Sequence, residues 1–161
     1  LGHGLGLATG MALAAKMDNK PHLVVTLLGD AECYEGSNWE AAMFAASNKV
    51  DNLIATVDYN GQQIDGPVAE VNDLGDLKAK WEAFGWNVIE ANGNEMEDIV
   101  SNLKLAKSLS KKEKPILILM KTEMGAGVDF MEGTHKWNGI APNDDDLQNA
   151  LGQLEETLGD Y

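Results

Sequence analysis

The sequence predicts an α/β fold, a three-layer α/β/α arrangement around a mainly parallel sheet, and three observations predict it. Two short apolar runs, Leu23–Leu28 and Leu53–Val57, are too short for helices and rich in leucine and β-branched residues, which suits strands buried on both faces of a parallel sheet. Between them lies a helical pattern long enough for a right-handed parallel crossover. Short apolar runs then keep alternating with helical patterns to the end of the chain, as in layered α/β domains.

Each element has its own warrant. Gly2 to about Asp18 reads as a helix with few charges. Gly2, Gly6, Gly10 and Ala14 recur four residues apart, so one face is nearly bare backbone, with Leu5, Ala8, Ala12 and Ala15 beside it. Each glycine costs a helix about 0.8–1 kcal/mol against alanine, so such a row suits close approach by another backbone, helix or cofactor. Tight internal packing and a subunit interface both remain open for it. The first strand ends in Gly29-Asp30-Ala31-Glu32, and Ser37-x-x-Glu40 reads as a capping box opening a helix to about Lys49. The second strand ends in Asp58-Tyr59-Asn60-Gly61, followed by a polar loop, Gln62–Leu74, punctuated by Gly66-Pro67.

A helix over about Gly75–Phe84 sets Leu77, Trp81 and Phe84 on one side, and Trp86–Glu90 is a third strand. Asn94–Glu97 looks like a capped start to a helix reaching about Ser110. Lys111–Lys114 reads as a solvated basic turn, and Pro115–Lys121 as a fourth strand buried on both faces. Thr122–Asn143 has no periodicity, and loops of that length in a compact domain are usually functional or disordered. It follows a strand's carboxyl end, so it can fold over the crevice there. Three aspartates open a last helix, Asp144 to about Leu158, which suits the positive end of its dipole.

The bulk numbers bound the function. At 161 residues the chain fits one domain with a real core. A net charge of −14 argues against nucleic acid, whose phosphates need lysine and arginine. With anionic substrates, the positive groups must come from a metal, helix N-termini or another chain. The one cysteine, Cys33, excludes an internal disulfide and suits a reducing compartment. No apolar run approaches a membrane span, so a cytoplasmic chain is expected, with no membrane partner.

The chemistry sits at the strand ends. In open parallel sheets, ligands bind beyond the carboxyl ends of the strands, where Asp30 and Asn60 both lie. A carboxylate and an amide oxygen are hard ligands suited to magnesium, which keeps waters and is completed by phosphates. The residues thus suggest a metal-bridged phosphate or pyrophosphate site.

Gly29-Asp30-Ala31 followed at a distance by Asn60 resembles the signature of thiamine-diphosphate enzymes. The wording EGSNWEAAMFAASNKVDNLIATVDYNGQQIDG resembles the transketolase branch, and the likeness runs from LGHGLGLATGMALA to KWNGIAPND. The resemblance implies transfer of a two-carbon ketol unit between sugar phosphates, with thiamine diphosphate and Mg2+ or Ca2+ as cofactors. It implies that residues 1–161 form a single pyrophosphate-binding domain and that a pyrimidine-binding domain or C-terminal subunit completes the site. A homodimer or an α2β2 heterotetramer would follow. It also implies a stretch before Leu1, carrying histidines, so the sequence reads as part of something longer.

Residue by residue, Asp30 and Asn60 match side-chain metal ligands and Gln62 a backbone-carbonyl ligand. Gly29 and Ala31 match the loop touching the diphosphate, and Leu1, Ile64 and Met124 match apolar positions flanking the thiazolium and pyrimidine rings. Glu35 matches a carboxylate linking two active sites, with Glu32 a competing candidate. Cys33, in the same loop, has no histidine or lysine beside it to activate a thiolate and reads as an inert small hydrophobe. Asn138 departs from the pattern, since relatives place histidine there; asparagine can donate to phosphate but cannot shuttle a proton. His135 is the nearby substitute. The rival readings are another thiamine-diphosphate enzyme, of the 2-oxoacid dehydrogenase or deoxyxylulose-phosphate synthase type, and a non-catalytic cofactor-binding partner. The DYNGQQIDG wording argues against the first, and Asn138 motivates the second.

Overall fold

In a computed structural model, which describes residues 1–154, four parallel strands run in the order β1 (Val24–Gly29), β2 (Leu53–Tyr59), β6 (Ile116–Lys121) and β5 (Asn87–Asn92). In chain order the elements are α1 (Gly4–Met17), β1 (Val24–Gly29), α2 (Gly36–Ser47) and β2 (Leu53–Tyr59). A two-stranded hairpin follows, β3 (Gln62–Gln63) and β4 (Gly66–Pro67), then α3 (Val68–Val71) and α4 (Leu77–Ala83). The chain closes with β5 (Asn87–Asn92), α5 (Met96–Leu109), β6 (Ile116–Lys121) and α6 (Asp144–Gln153). Single 3₁₀ turns cover Ala31–Tyr34 and His135–Trp137.

The strands sort their side chains by the period of two that a sheet imposes. Leu53, Ala55 and Val57 of β2, with Leu117 and Leu119 of β6, face Leu5, Ala8 and Ala12 of α1, Ala42 and Ala45 of α2, and Leu77 and Trp81 of α4. Ile54, Ile116 and Ile118 face the opposite side and pack with Ala106 of α5. Trp81 is completely buried and stacks at 5.1 Å on Trp39 and 5.0 Å on Trp86, so truncating it to alanine would cost roughly 3–5 kcal/mol. Helices therefore cover both faces, and the three-layer α/β/α expectation holds.

Several local expectations change. β1 is an edge strand and is not buried on both faces: Val25 is 56% and Leu27 63% exposed, because no described helix covers that flank. β2 and β6 are the strands shielded on both sides. Ser37 and Glu40 form no capping box; α2 begins after Glu35 without a side-chain cap, and the Ser37 hydroxyl donates to the Gly2 carbonyl at 2.8 Å. Asn94 does not cap α5 either, since its Oδ1 accepts from the Glu123 amide at 2.7 Å. The helix expected from Gly75 starts at Leu77, capped by Asp76 Oδ1 accepting from the Ala79 amide.

Gln62–Leu74 is more than a loop, holding the β3–β4 hairpin and α3. The capping box that does form belongs to α6, between Asn143 and Asp146. The expected end of that helix near Leu158 lies outside the described residues. No helix among the described residues is long and apolar enough to cross a membrane.

Strand register sets the site. Gly29 pairs with Asp58, and Asp58 with Met120, so β1, β2 and β6 end level. The segments carrying Asp30, Asn60 and Thr122 thus leave one edge of the sheet together.

Candidate active site

Asp30 is 1% exposed, and both of its carboxylate oxygens accept from backbone amides. Oδ1 takes the Ala31 N–H at 2.7 Å and Oδ2 the Gly61 N–H at 2.7 Å. The second bond spans the turns after β1 and β2 and brings Asp30 beside Asn60. Gly61 fits that turn because its φ of +69° is left-handed backbone that glycine adopts without a steric cost. Burial, with the nearby Asp58 charge adding to it, pushes the Asp30 carboxyl above its ordinary range, against the lowering effect of the amide donors.

Asn60 is held in one orientation. Its Nδ2 donates to Asp58 Oδ2 at 3.1 Å, and its Oδ1 accepts from the Gln62 amide at 2.8 Å. An ionised carboxylate only accepts and a backbone N–H only donates, so the two contacts fix which way the amide points. Asp58 is fixed in turn, because Thr122 Oγ1 donates to its other oxygen. The chain Thr122–Asp58–Asn60 was missed in the sequence. Its only signal there was the place of Asp58 at the strand's end, two residues before Asn60.

Around this pair the donors are hard oxygens. Each Asp30 oxygen and Asn60 Oδ1 keeps a second lone pair, and Gln62 is tied to the same turn through its amide. Gln62 Oε1 is a buried acceptor with no partner. Among the described residues no three His, Cys, Asp or Glu side chains converge on one point. A closed protein cage is thus absent there, but a cation completed by waters and phosphates needs fewer ligands. A buried carboxylate is also where a cation offsets the most desolvation. The residues fit a divalent ion bridging a diphosphate.

The other predicted residues surround this centre unevenly. A Cβ on Gly29 would meet nothing nearer than Glu32 Cβ at 4.0 Å, so the backbone beside Asp30 is open to a ligand. Met124 joins Leu27, Asp58, Asn60, Met120 and Thr122 around a crevice of about 400 Å³. A larger cleft of about 630 Å³, lined by Tyr59, Asn92 and Lys121 among others, lies over β5 and β6, to one side of Asp30. Leu1 is 86% and Ile64 68% exposed, so neither is core packing. His135 opens the turn after Thr134, a turn that packs against β4, and Asn138 is exposed just beyond it. No side chain ties either residue to Asp30.

The two carboxylates after β1 separate cleanly. Glu32 is fully engaged: Oε1 accepts from the Gly2 amide at 2.8 Å and Oε2 from the Gly29 amide at 3.2 Å. Glu35 is exposed and free of capping duty. Cys33 is buried, and burial, then the Asp30 and Glu32 charges, push its thiol up to about 12, so it is no nucleophile. On α1, Leu5, Ala8 and Ala12 face the core, whereas Gly6 and Gly10 have no neighbouring atom within 4 Å of an added Cβ. Within the described chain Gly6 and Gly10 are therefore not an internal packing seam, whereas Gly2, which lies before the helix starts at Gly4, is buried against Glu35 and Ser37.

Comparison with known proteins fits this geometry. Residues 1–157 match the family model for the transketolase thiamine diphosphate binding domain. The chain is 42% identical over 158 residues to an apulose-4-phosphate transketolase subunit of Phocaeicola vulgatus, covering 98% of this chain and 56% of that protein. It is 42% identical to the 6-deoxy-6-sulfo-D-fructose transketolase subunit SqwG of a Clostridium species, covering 97% of this chain and 56% of that protein. The crystal structure of transketolase from Campylobacter jejuni superposes with a TM-score of 0.85 at 33% identity, over 95% of this chain and 25% of that one. The chain thus spans about half the length of the curated relatives it matches. It belongs to the transketolase thiamine-diphosphate-binding-domain family.

Proposed function

We propose that this chain supplies the metal-and-diphosphate half of a transketolase-type transferase, which passes a two-carbon ketol unit from a ketose phosphate to an aldose phosphate. The observation that carries the reading is the buried Asp30, bonded to Gly61 beside an Asn60 whose amide can point only one way. When bound, thiamine diphosphate supplies the carbon nucleophile and the electron sink. This chain's residues bind and orient. Asp30, Asn60 and the Gln62 carbonyl hold Mg2+ or Ca2+, and Gly29 and Ala31 border the diphosphate. Leu1, Ile64 and Met124 keep water from the rings, Glu35 communicates with a second site, and Asn138 or His135 faces the diphosphate.

The relatives named as transketolase subunits support a partner, a pyrimidine-binding domain or C-terminal subunit, in a homodimer or an α2β2 assembly. The exposed Leu7 and Met11 beside Gly6 and Gly10 are consistent with such a contact. The buried reduced cysteine fits the cytoplasm. Asn138 favours a second reading, a partner that binds cofactor but turns over poorly, because an asparagine cannot carry the proton.

The test is titration of thiamine diphosphate into the assembled protein with magnesium or calcium. Binding should require the ion, and Asp30→Ala should lower affinity at least 100-fold. Affinity should also fall on acidification sooner than at an exposed aspartate, since a raised carboxyl takes its proton at higher pH and the proton competes with the cation. Full affinity in EDTA or in Asp30→Ala removes the assignment.

A further inference from the structure

The Glu32 carboxylate stands between two backbone amides that are far apart in sequence, Gly2 before α1 and Gly29 at the end of β1. It is half-buried, and each oxygen serves a different segment. Gly2 is gripped from its other side as well, where Ser37 Oγ donates to its carbonyl at 2.8 Å. It also has no freedom to move inward. Its φ is +75°, and a Cβ there would meet Glu35 Cβ at 2.7 Å and Ser37 Oγ at 2.9 Å. The segment carrying Leu1 is thus docked onto the loop that carries Asp30 through one acidic side chain and one hydroxyl.

A carboxylate is the side chain such a junction needs. Two donors converge on it, and only an ionised acid offers two acceptor oxygens at that reach. Glutamine would set its NH2 against one of the amides and leave that amide unpaired. We propose that Glu32 is a positioning residue for the cofactor, one that holds the diphosphate loop at Gly29 and the Leu1 wall in a single register. This rests on the reading of Leu1 and Gly29 as cofactor neighbours given above. Glu32 acts through those two segments and does not itself touch the ligand.

The prediction separates two probes, each titrated with magnesium into the assembled protein: inorganic pyrophosphate, which senses only the loop, and thiamine diphosphate, which senses loop and wall. Glu32→Gln should weaken thiamine diphosphate by roughly tenfold or more, the effect of losing one charge-assisted bond, and pyrophosphate by a smaller factor. Amide exchange should quicken at Gly2, at Gly29, or at both. Unchanged thiamine diphosphate affinity, or an equal loss for both probes, overturns the proposal. Should Glu32→Gln fail to fold, Ser37→Ala tests the wall alone, since it loosens Gly2 and leaves Glu32 in place. Loss confined to thiamine diphosphate supports the proposal; no loss, or an equal loss for both probes, overturns it. Asp30→Ala is the control for the underlying reading. If it keeps its affinity for both probes, the cofactor site itself is misplaced, whatever the Glu32 variants do.

Discussion

The segment after β1 and the segment after β6 leave the same edge of the sheet, yet one is anchored by buried side chains and the other mostly by its own backbone. In the first, Asp30, Cys33 and Asn38 are buried within nine residues. Asn38 Nδ2 donates to the Glu32 carbonyl at 2.8 Å, and Trp39 Nε1 to the Cys33 carbonyl at 2.7 Å. In the second, residues 123–143, Val128 alone is fully buried. That segment is built from short turns such as Val128 N–H to Gly125 O and Met131 N–H to Val128 O, and is closed on itself by Gly133 N–H to Met124 O. Its side-chain anchors are few: Trp137 donates to the Phe130 carbonyl at 3.0 Å and stacks edge-on against Phe130 at 5.3 Å. The difference teaches a division of labour. The side chains proposed to hold the metal sit where paired hydrogen bonds fix them, while the groups proposed to act on protons sit on the segment that can open locally at least cost.

The sharpest way to break that contrast is at Asp58, whose side chain ties the end of β6 to the turn after β2 through Thr122 and Asn60 and whose carbonyl accepts from the Asp30 amide. Asp58→Ala frees the Asn60 amide to rotate, and losing such a support behind a metal ligand typically costs 10–100-fold in affinity. Magnesium titration of thiamine diphosphate binding should show that loss with the fold retained by circular dichroism. A variant with full affinity would mean that Asn60 needs no orienting partner.

A smaller effect, on rate rather than affinity, is expected from the loosely held segment. Asn138→His should raise the ketol-transfer rate of the assembled enzyme at least tenfold, a floor below the roughly 10²–10⁴-fold that an acid–base group typically contributes. Cofactor affinity should barely change. If His135 already does the work, His135→Ala cripples transfer and Asn138→His does little. If neither matters, the segment does not reach the reacting atoms. The least effect is expected at Cys33. With its thiol pushed up to about 12, it should resist maleimide at neutral pH in the folded protein and react only on unfolding. Rapid labelling of the native chain would show that the first segment is far more open than its hydrogen bonds imply.

Much of this was legible in the residues. The four apolar runs gave the four sheet strands to within a few residues, because a strand shielded on both faces must be apolar almost throughout. β1 shows the limit. Its run reads like that of β2, yet Val25 and Leu27 lie bare, since a sequence states that a face is apolar but not what covers it. Asp30 and Asn60 stood out as polar residues at two strand ends, and register alone decided that they meet.

By itself, then, the sequence determined the elements, their alternation, and the candidate ligands at strand ends, since those follow from local periodicity and side-chain chemistry. Only tertiary structure decided which partner each polar group found. Ser37 looked like a helix cap and instead holds Gly2; Glu32 and Glu35 were indistinguishable until one closed on two amides and the other stayed exposed. Asp58 was unmarked until Thr122 arrived from the end of β6. Hydrogen bonds between segments distant in sequence depend on register and on packing directions, which local sequence does not encode. The adoption of one partner over another is settled when the strands align.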